Sequence, residues 1–153
     1  MKFTKGLLLI CLLTACSPLH AAGGIDKSIL LDDQAITQLE QRAEQANPRE
    51  QCFLYTELVS AMTEVAGKQL TDGDVDRASA TLKKIALYAT RIHINLARDT
   101  KRLKNAEMLM HRTTYRLTEY LHRASTEDKP TLQATLKQLS DVQNELLTQV
   151  FNH

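Results

Sequence analysis

Between Val75 and Ala124 apolar residues return at alternating steps of three and four: Val75, Ala78, Leu82, Ile85, Ala89, Ile92, Leu96, Leu103, Ala106, Met110, Leu117, Tyr120 and Ala124. Only Asp99 and Thr113 are polar on this seam. That alternation is the signature of a helix burying one stripe against neighbours. No glycine or proline interrupts the run. At about 1.5 Å per residue it predicts one very long third helix over residues 74–124, roughly 75 Å from end to end.

The flanking elements are punctuated by the few breakers in the chain, glycines 6, 23, 24, 67 and 73 and prolines 18, 48 and 130. A first helix is predicted from Asp33 to Ala46, with Ala35, Ile36, Leu39 and Ala43 on one face. Asn47-Pro48-Arg49-Glu50 reads as a capped start for a second helix that runs to Thr71 and is closed by Gly73. Asp74 starts the third helix, and Ser125 stops it and caps a fourth, Lys129 to Phe151, built on Leu132, Leu136, Leu139, Leu146 and Val150. The fold class is all-α.

Helix lengths leave two arrangements. In one, antiparallel hairpins are built on the continuous third helix, with helices 2 and 4 laid end to end along it and self-association covering what they leave bare. In the other, the third helix breaks near 98–100, where the seam turns polar, and folds into a compact four-helix bundle. The missing breaker favours the long helix. The wide apolar arc of helix 2 (Cys52, Tyr55, Leu58, Val59, Met62, Val65, Ala66) favours the bundle, because one partner would not cover it. The third helix carries a second apolar stripe, Ala80, Leu87, Ile94, Met108 and Tyr115, which reads as an interaction surface.

The N-terminus reads as an address. Lys2 and Lys5 precede an apolar run from Gly6 to Ala15, too short to span a membrane. Leu13-Thr14-Ala15-Cys16 resembles a bacterial lipobox, which implies cleavage of a signal peptide 1–15 and acylation of Cys16. Residues 16–31 are then a flexible tether and 32–153 one helical domain. Cleavage near 21–23 by an ordinary signal peptidase is the alternative, giving an unanchored periplasmic or secreted protein. Either way Cys52 is the one cysteine certain to remain as a free side chain, and it is read as a buried small hydrophobe.

Net charge is +1, but it is segregated: nine acids against four bases from Ile25 to Asp72, then eleven bases against five acids from Gly73 to Arg123. Arg77, Lys84, Arg91, Arg98 and Arg112 form a basic stripe on the third helix. Such a stripe attracts anions or an acidic partner. An exported chain meets lipid headgroups and envelope proteins rather than nucleic acid. The plainer reading is internal: acidic helices 1 and 2, with Glu50, Glu57 and Glu64 themselves seven apart, flank the third helix and offset that field.

No nucleophile elbow, phosphate-binding loop or Cys-x-x-Cys is present, and no catalytic residue, metal or cofactor is assigned. Glu119-Tyr120-Leu121-His122 has the spacing of a carboxylate-bridged metal site, but the chain holds one such motif where a di-metal bundle needs two, so it reads as a helix surface. Glu107 and His111 read as a surface pair, and His93 as a seam-edge histidine.

Around the first turn, Gly73, Ala78 and Leu82 are similar in offset to the second-helix start of a tetratricopeptide repeat; the similarity covers one turn, and no 34-residue period follows. The expectation is an exported, lipid-anchored helical adaptor of the cell envelope, non-enzymatic, binding another envelope protein or itself. A periplasmic ligand- or metal-binding four-helix bundle is the alternative.

Overall fold

The computed structural model describes residues 27–96 and 100–152, with side chains from Asp33 onward. Five helices follow one another: α1 (Lys27–Gln45), α2 (Pro48–Thr71), α3 (Val75–Leu96), α4 (Leu103–Arg123) and α5 (Lys129–Asn152). Cys16, residues 16–26 of the tether, Arg98 and Asp99 lie outside the described residues.

The caps follow the expected chemistry. Asn47 Oδ1 accepts the Arg49 N–H at 3.0 Å ahead of Pro48. At the other end of α2 Gly73 takes φ +77, a conformation an L side chain rarely adopts, while the Asp72 and Asp74 N–H groups return to the Lys68 and Gln69 carbonyls. Ser125 Oγ accepts the Asp128 N–H and donates to the Asp128 carboxylate at 2.6 Å, setting the start of α5. α1 begins earlier than expected. It takes in residues 27–31, which the sequence reading gave to the tether, since no glycine or proline follows Gly24 until Pro48.

The long third helix is not formed. α3 stops at Leu96, and the chain turns through Lys101 and Arg102 before α4 begins. The Thr100 hydroxyl donates to the Asn95 carbonyl at 3.0 Å, and the Lys101 N–H is captured by the Arg49 carbonyl at 2.8 Å, at the head of α2. Burial explains the outcome. Folding α4 back beside α2 covers the apolar arc that a straight rod would leave bare. Most of the seam is buried, in two helices rather than one: Ala78, Leu82, Ile85, Ala89, Ile92, Leu96, Ala106, Met110, Thr113 and Leu117 are covered, Leu103, Tyr120 and Ala124 are half-buried, and Val75 is exposed.

The helices pair as α1·α2, α2·α3, α2·α4, α3·α5 and α4·α5. Directions follow from the side-chain contacts. Tyr55 stacks on Tyr88 at one end of α2 and Gln69 meets Thr81 at the other, so α2 and α3 are antiparallel. Arg49 meets Lys101 and Glu64 meets Arg116, so α2 and α4 run the same way. Gln138 reaches Ala86 and Glu145 reaches His93, so α3 and α5 do too. Two antiparallel hairpins therefore lie side by side in the same sense, with α2 central and touched by α1, α3 and α4.

The second hairpin repeats the first. Buried Ala78, Ile85, Tyr88 and Ile92 of α3 correspond, at one constant spacing, to buried Leu132, Leu139, Val142 and Leu146 of α5. Ala80-Thr81-Leu82-Lys83 recurs within this register as Ala134-Thr135-Leu136-Lys137. This spacing is longer than that of a tetratricopeptide repeat, and it does not carry the turn residues with it: Gly73 and Ala78 correspond to Glu127 and Leu132.

Arg102 opens α4 at φ 59, ψ 29 without a side-chain cap, its guanidinium 3.5 Å from the centroid of Phe53. Left-handed backbone costs a non-glycine residue about 1 kcal/mol, and the cation–π contact offsets this. Glycine at 102 releases the strain while losing the contact; alanine keeps the strain and loses the contact. The expected order in urea denaturation is therefore Arg102→Gly above Arg102→Ala by about 1 kcal/mol. Equal stability of the two variants would refute it.

Candidate interaction groove

One stripe of α2, Glu57, Ala61, Glu64 and Lys68 at helical steps of four, three and four, is only partly covered: Glu64 is exposed and the other three are half-buried. α1 borders it with Leu39 and Arg42, and α4 with Asn105, Met108, Leu109 and Arg112. The result is a groove with α2 as its floor. Its two depressions, of about 610 and 560 Å3, are continuous through the shared residues Ser60, Glu64, Leu109 and Arg112. Met108 and Tyr115 stand 56% and 63% exposed on the α4 wall, one turn either side of Arg112.

A polar network locks that wall to the floor. Arg116 donates to both Glu64 oxygens, at 2.9 and 3.0 Å, and to Glu119 at 2.6 Å. The Tyr120 hydroxyl donates to Glu64 at 2.7 Å and accepts from Arg116. The Arg116 bond holds the Glu64 carboxyl below its ordinary pKa, and the Tyr120 bond adds to that. Burial, then the Glu64 bond, pushes Tyr120 up to about 12. A carboxyl depressed in the fold contributes stability above its unfolded pKa and loses it as pH falls through the folded value. Wild-type protein should therefore lose stability below about pH 4.5 more steeply than Glu64→Gln, measured by urea midpoints across pH. Parallel profiles would count against the network.

The basic stripe is divided by the break. Arg77 pairs with Asp33 at 3.1 Å and with Asp74, and Lys84 approaches Glu40 at 3.7 Å. The acids that meet Arg77 and Lys84 thus come from α1 and from Asp74 at the head of α3. Glu50, Glu57 and Glu64 of α2 pair instead with Lys101, Arg42 and Arg116, because they point away from α3. Arg91 borders a depression beside Tyr55 and Ile94. Arg112 lies in the groove on α4, exposed.

The apolar stripe divides likewise. Met108 and Tyr115 line the groove, whereas Ile94, 53% exposed, borders depressions where α3 meets α5 and α1. Leu87 is 54% exposed on α3. One stripe in sequence is two surfaces in space.

The remaining candidates are placed as follows. Glu119 is held by Arg116, and His122 is exposed. His111 Nδ1 lies 2.9 Å from Gln143, and His93 2.6 Å from Glu145. Among the described residues no three His, Cys, Asp or Glu side chains converge as metal ligands. Cys52 is free and fully buried, and burial pushes its thiol up to about 12. Burial and the Glu40 bond do the same for Tyr88, whose hydroxyl donates to Glu40 at 2.9 Å. No helix among the described residues is long and apolar enough to cross a membrane. No protein family, curated protein or solved structure matches this chain.

The network was missed in the sequence, although it left a signal. Gly67 stands alone in the middle of an otherwise strong helix, and an isolated helical glycine often marks a close approach. Here the approach is the ring of Tyr120.

Proposed function

We propose that this chain is an exported, lipid-anchored helical adaptor of the cell envelope, which works by binding another protein and performs no chemistry of its own. The observation that carries the reading is the groove, where Met108 and Tyr115 stay more than half exposed on a wall that is otherwise tightly locked. Met, Tyr and Arg are residue types enriched in protein interfaces, and Arg112 lies between these two. The anchor rests on the lipobox-like Leu13-Thr14-Ala15-Cys16 alone.

Intact mass of the protein extracted from membranes tests the anchor. A diacylglyceryl addition at an N-terminal Cys16, lost in Cys16→Ser together with membrane retention, is the expected result. A mature chain beginning near residues 21–23 would remove the anchor from the proposal.

A further inference from the structure

Among the described residues no helix covers the groove. Around α2, at 100° per residue, Tyr55 and Gln69 point to α3 and Gly67 to Tyr120 of α4, while Glu57 pairs with Arg42 of α1. Glu57, Ala61 and Glu64 lie between Leu39 and Arg42 of α1 and Met108, Leu109 and Arg112 of α4. Along α4 the wall runs from Asn105 to Arg116, about 16 Å or three turns. Met108, Arg112 and Tyr115 repeat along it at steps of four and three.

Charge selects the occupant. Arg42 is neutralised by Glu57 at 2.7 Å, and Arg116 by Glu64. Arg112 has no ion-pair partner recorded among the described residues, and it projects between two exposed apolar side chains. A helix laid into this groove meets Met108, Leu109 and Tyr115 along α4, the Glu57–Arg42 and Glu64–Arg116 pairs on the floor, and Arg112 near the middle as the lining cation without an ion pair among the described residues. A carboxylate there gains a charge-assisted bond, whereas an ammonium meets repulsion.

We infer that the α1–α2–α4 groove binds one amphipathic helix of a partner protein, about three turns long, through apolar residues at i, i+4 and i+7 and a carboxylate against Arg112. This rests on the adaptor reading and names its site and the chemistry of its partner. The exposed Leu87 and Ile94 of α3 form a separate surface with no part in it.

Two synthetic 18-residue helical peptides test the inference by fluorescence anisotropy with the full chain. They share leucines at the stated spacing and carry either glutamate or lysine beside them. The glutamate peptide should bind at least tenfold more tightly than the lysine peptide. Arg112→Glu should invert that order, a reversal that misfolding cannot produce. Met108→Asp with Tyr115→Asp should abolish binding, and Leu87→Asp with Ile94→Asp should leave it unchanged.

Four outcomes overturn the inference: no binding by either peptide, equal affinities that ignore Arg112, loss confined to the Leu87 and Ile94 variant, or a wild-type dimer that Met108→Asp and Tyr115→Asp dissociate, which would make the occupant a second copy. A null titration leaves the Cys16 anchor standing, and an unacylated Cys16 leaves the titration standing.

Discussion

Alanine at position 67 is expected to lower the free energy of unfolding by about 3 kcal/mol, although glycine to alanine inside a helix ordinarily gains close to 1 kcal/mol. A β-carbon on Gly67 would overlap Cζ, Cε1 and Cε2 of Tyr120, the hydroxyl end of the ring. The ring cannot simply withdraw. Its hydroxyl is tied to Glu64 and Arg116, so moving it opens the network that joins α4 to α2. Removing the ring should remove the clash: Tyr120→Ala costs about 2 kcal/mol alone, yet added to Gly67→Ala it should cost much less than the sum, a coupling of about 2 kcal/mol. Urea denaturation of the four proteins gives this directly. Additive losses would mean that the glycine is there for another reason.

Leu58→Ala should be comparably severe, at about 3 to 4 kcal/mol. Leu58 is fully buried on the one helix that touches three others, so its removal leaves a hole whose walls belong to separate elements and cannot collapse together. The denaturant midpoint should fall while the m-value stays constant, since the surface exposed on unfolding is little changed. Leu87→Ala supplies the contrast. At 54% exposure on α3 it should shift stability by no more than about 0.5 kcal/mol. Near-equal losses at the two leucines would contradict the packing described above.

Local chemistry carried most of what the sequence could tell. Asn47, Gly73 and Ser125 each mark a helix boundary through a hydrogen bond or a backbone conformation that the residue type itself favours. The buried seam was equally legible, because a step of three or four places a side chain on one face whatever the tertiary fold.

The break after Leu96 was legible only in part: the seam turns polar at Asp99, which offered a break near 98–100 as the second of two arrangements, while the lack of a breaker favoured the long helix. Leu96 and Leu103 keep the seven-residue step, and no glycine marks the turn; a left-handed Arg102 fills that place, held by Phe53, some fifty residues earlier in the chain. What ends α3 is the uncovered face of α2, which is a property of the assembled hairpins. The same break explains the site. Arg112 and Met108 were singled out as members of long stripes, and only folding brings them to one groove while sending Arg77, Lys84 and Ile94 elsewhere. Arg116, Glu64 and Tyr120 were not grouped at all, since their partnership spans two hairpins.

The side-by-side arrangement of like-directed hairpins also sets the electrical character of the molecule. Three helices, α1, α3 and α5, run one way and two, α2 and α4, run the other, so one helix macrodipole is left uncancelled, about half a charge at each end. Acidic Asp72, Asp74, Asp76 and Asp128 gather at the end where α3 and α5 begin, while Arg49, Lys101, Arg102 and Lys104 gather where α1, α3 and α5 finish. Each set of side chains opposes the backbone charge beside it. The bundle is thereby a bar whose two poles carry opposite side-chain signs, and in an external field or near an anionic surface it would turn its basic pole inward.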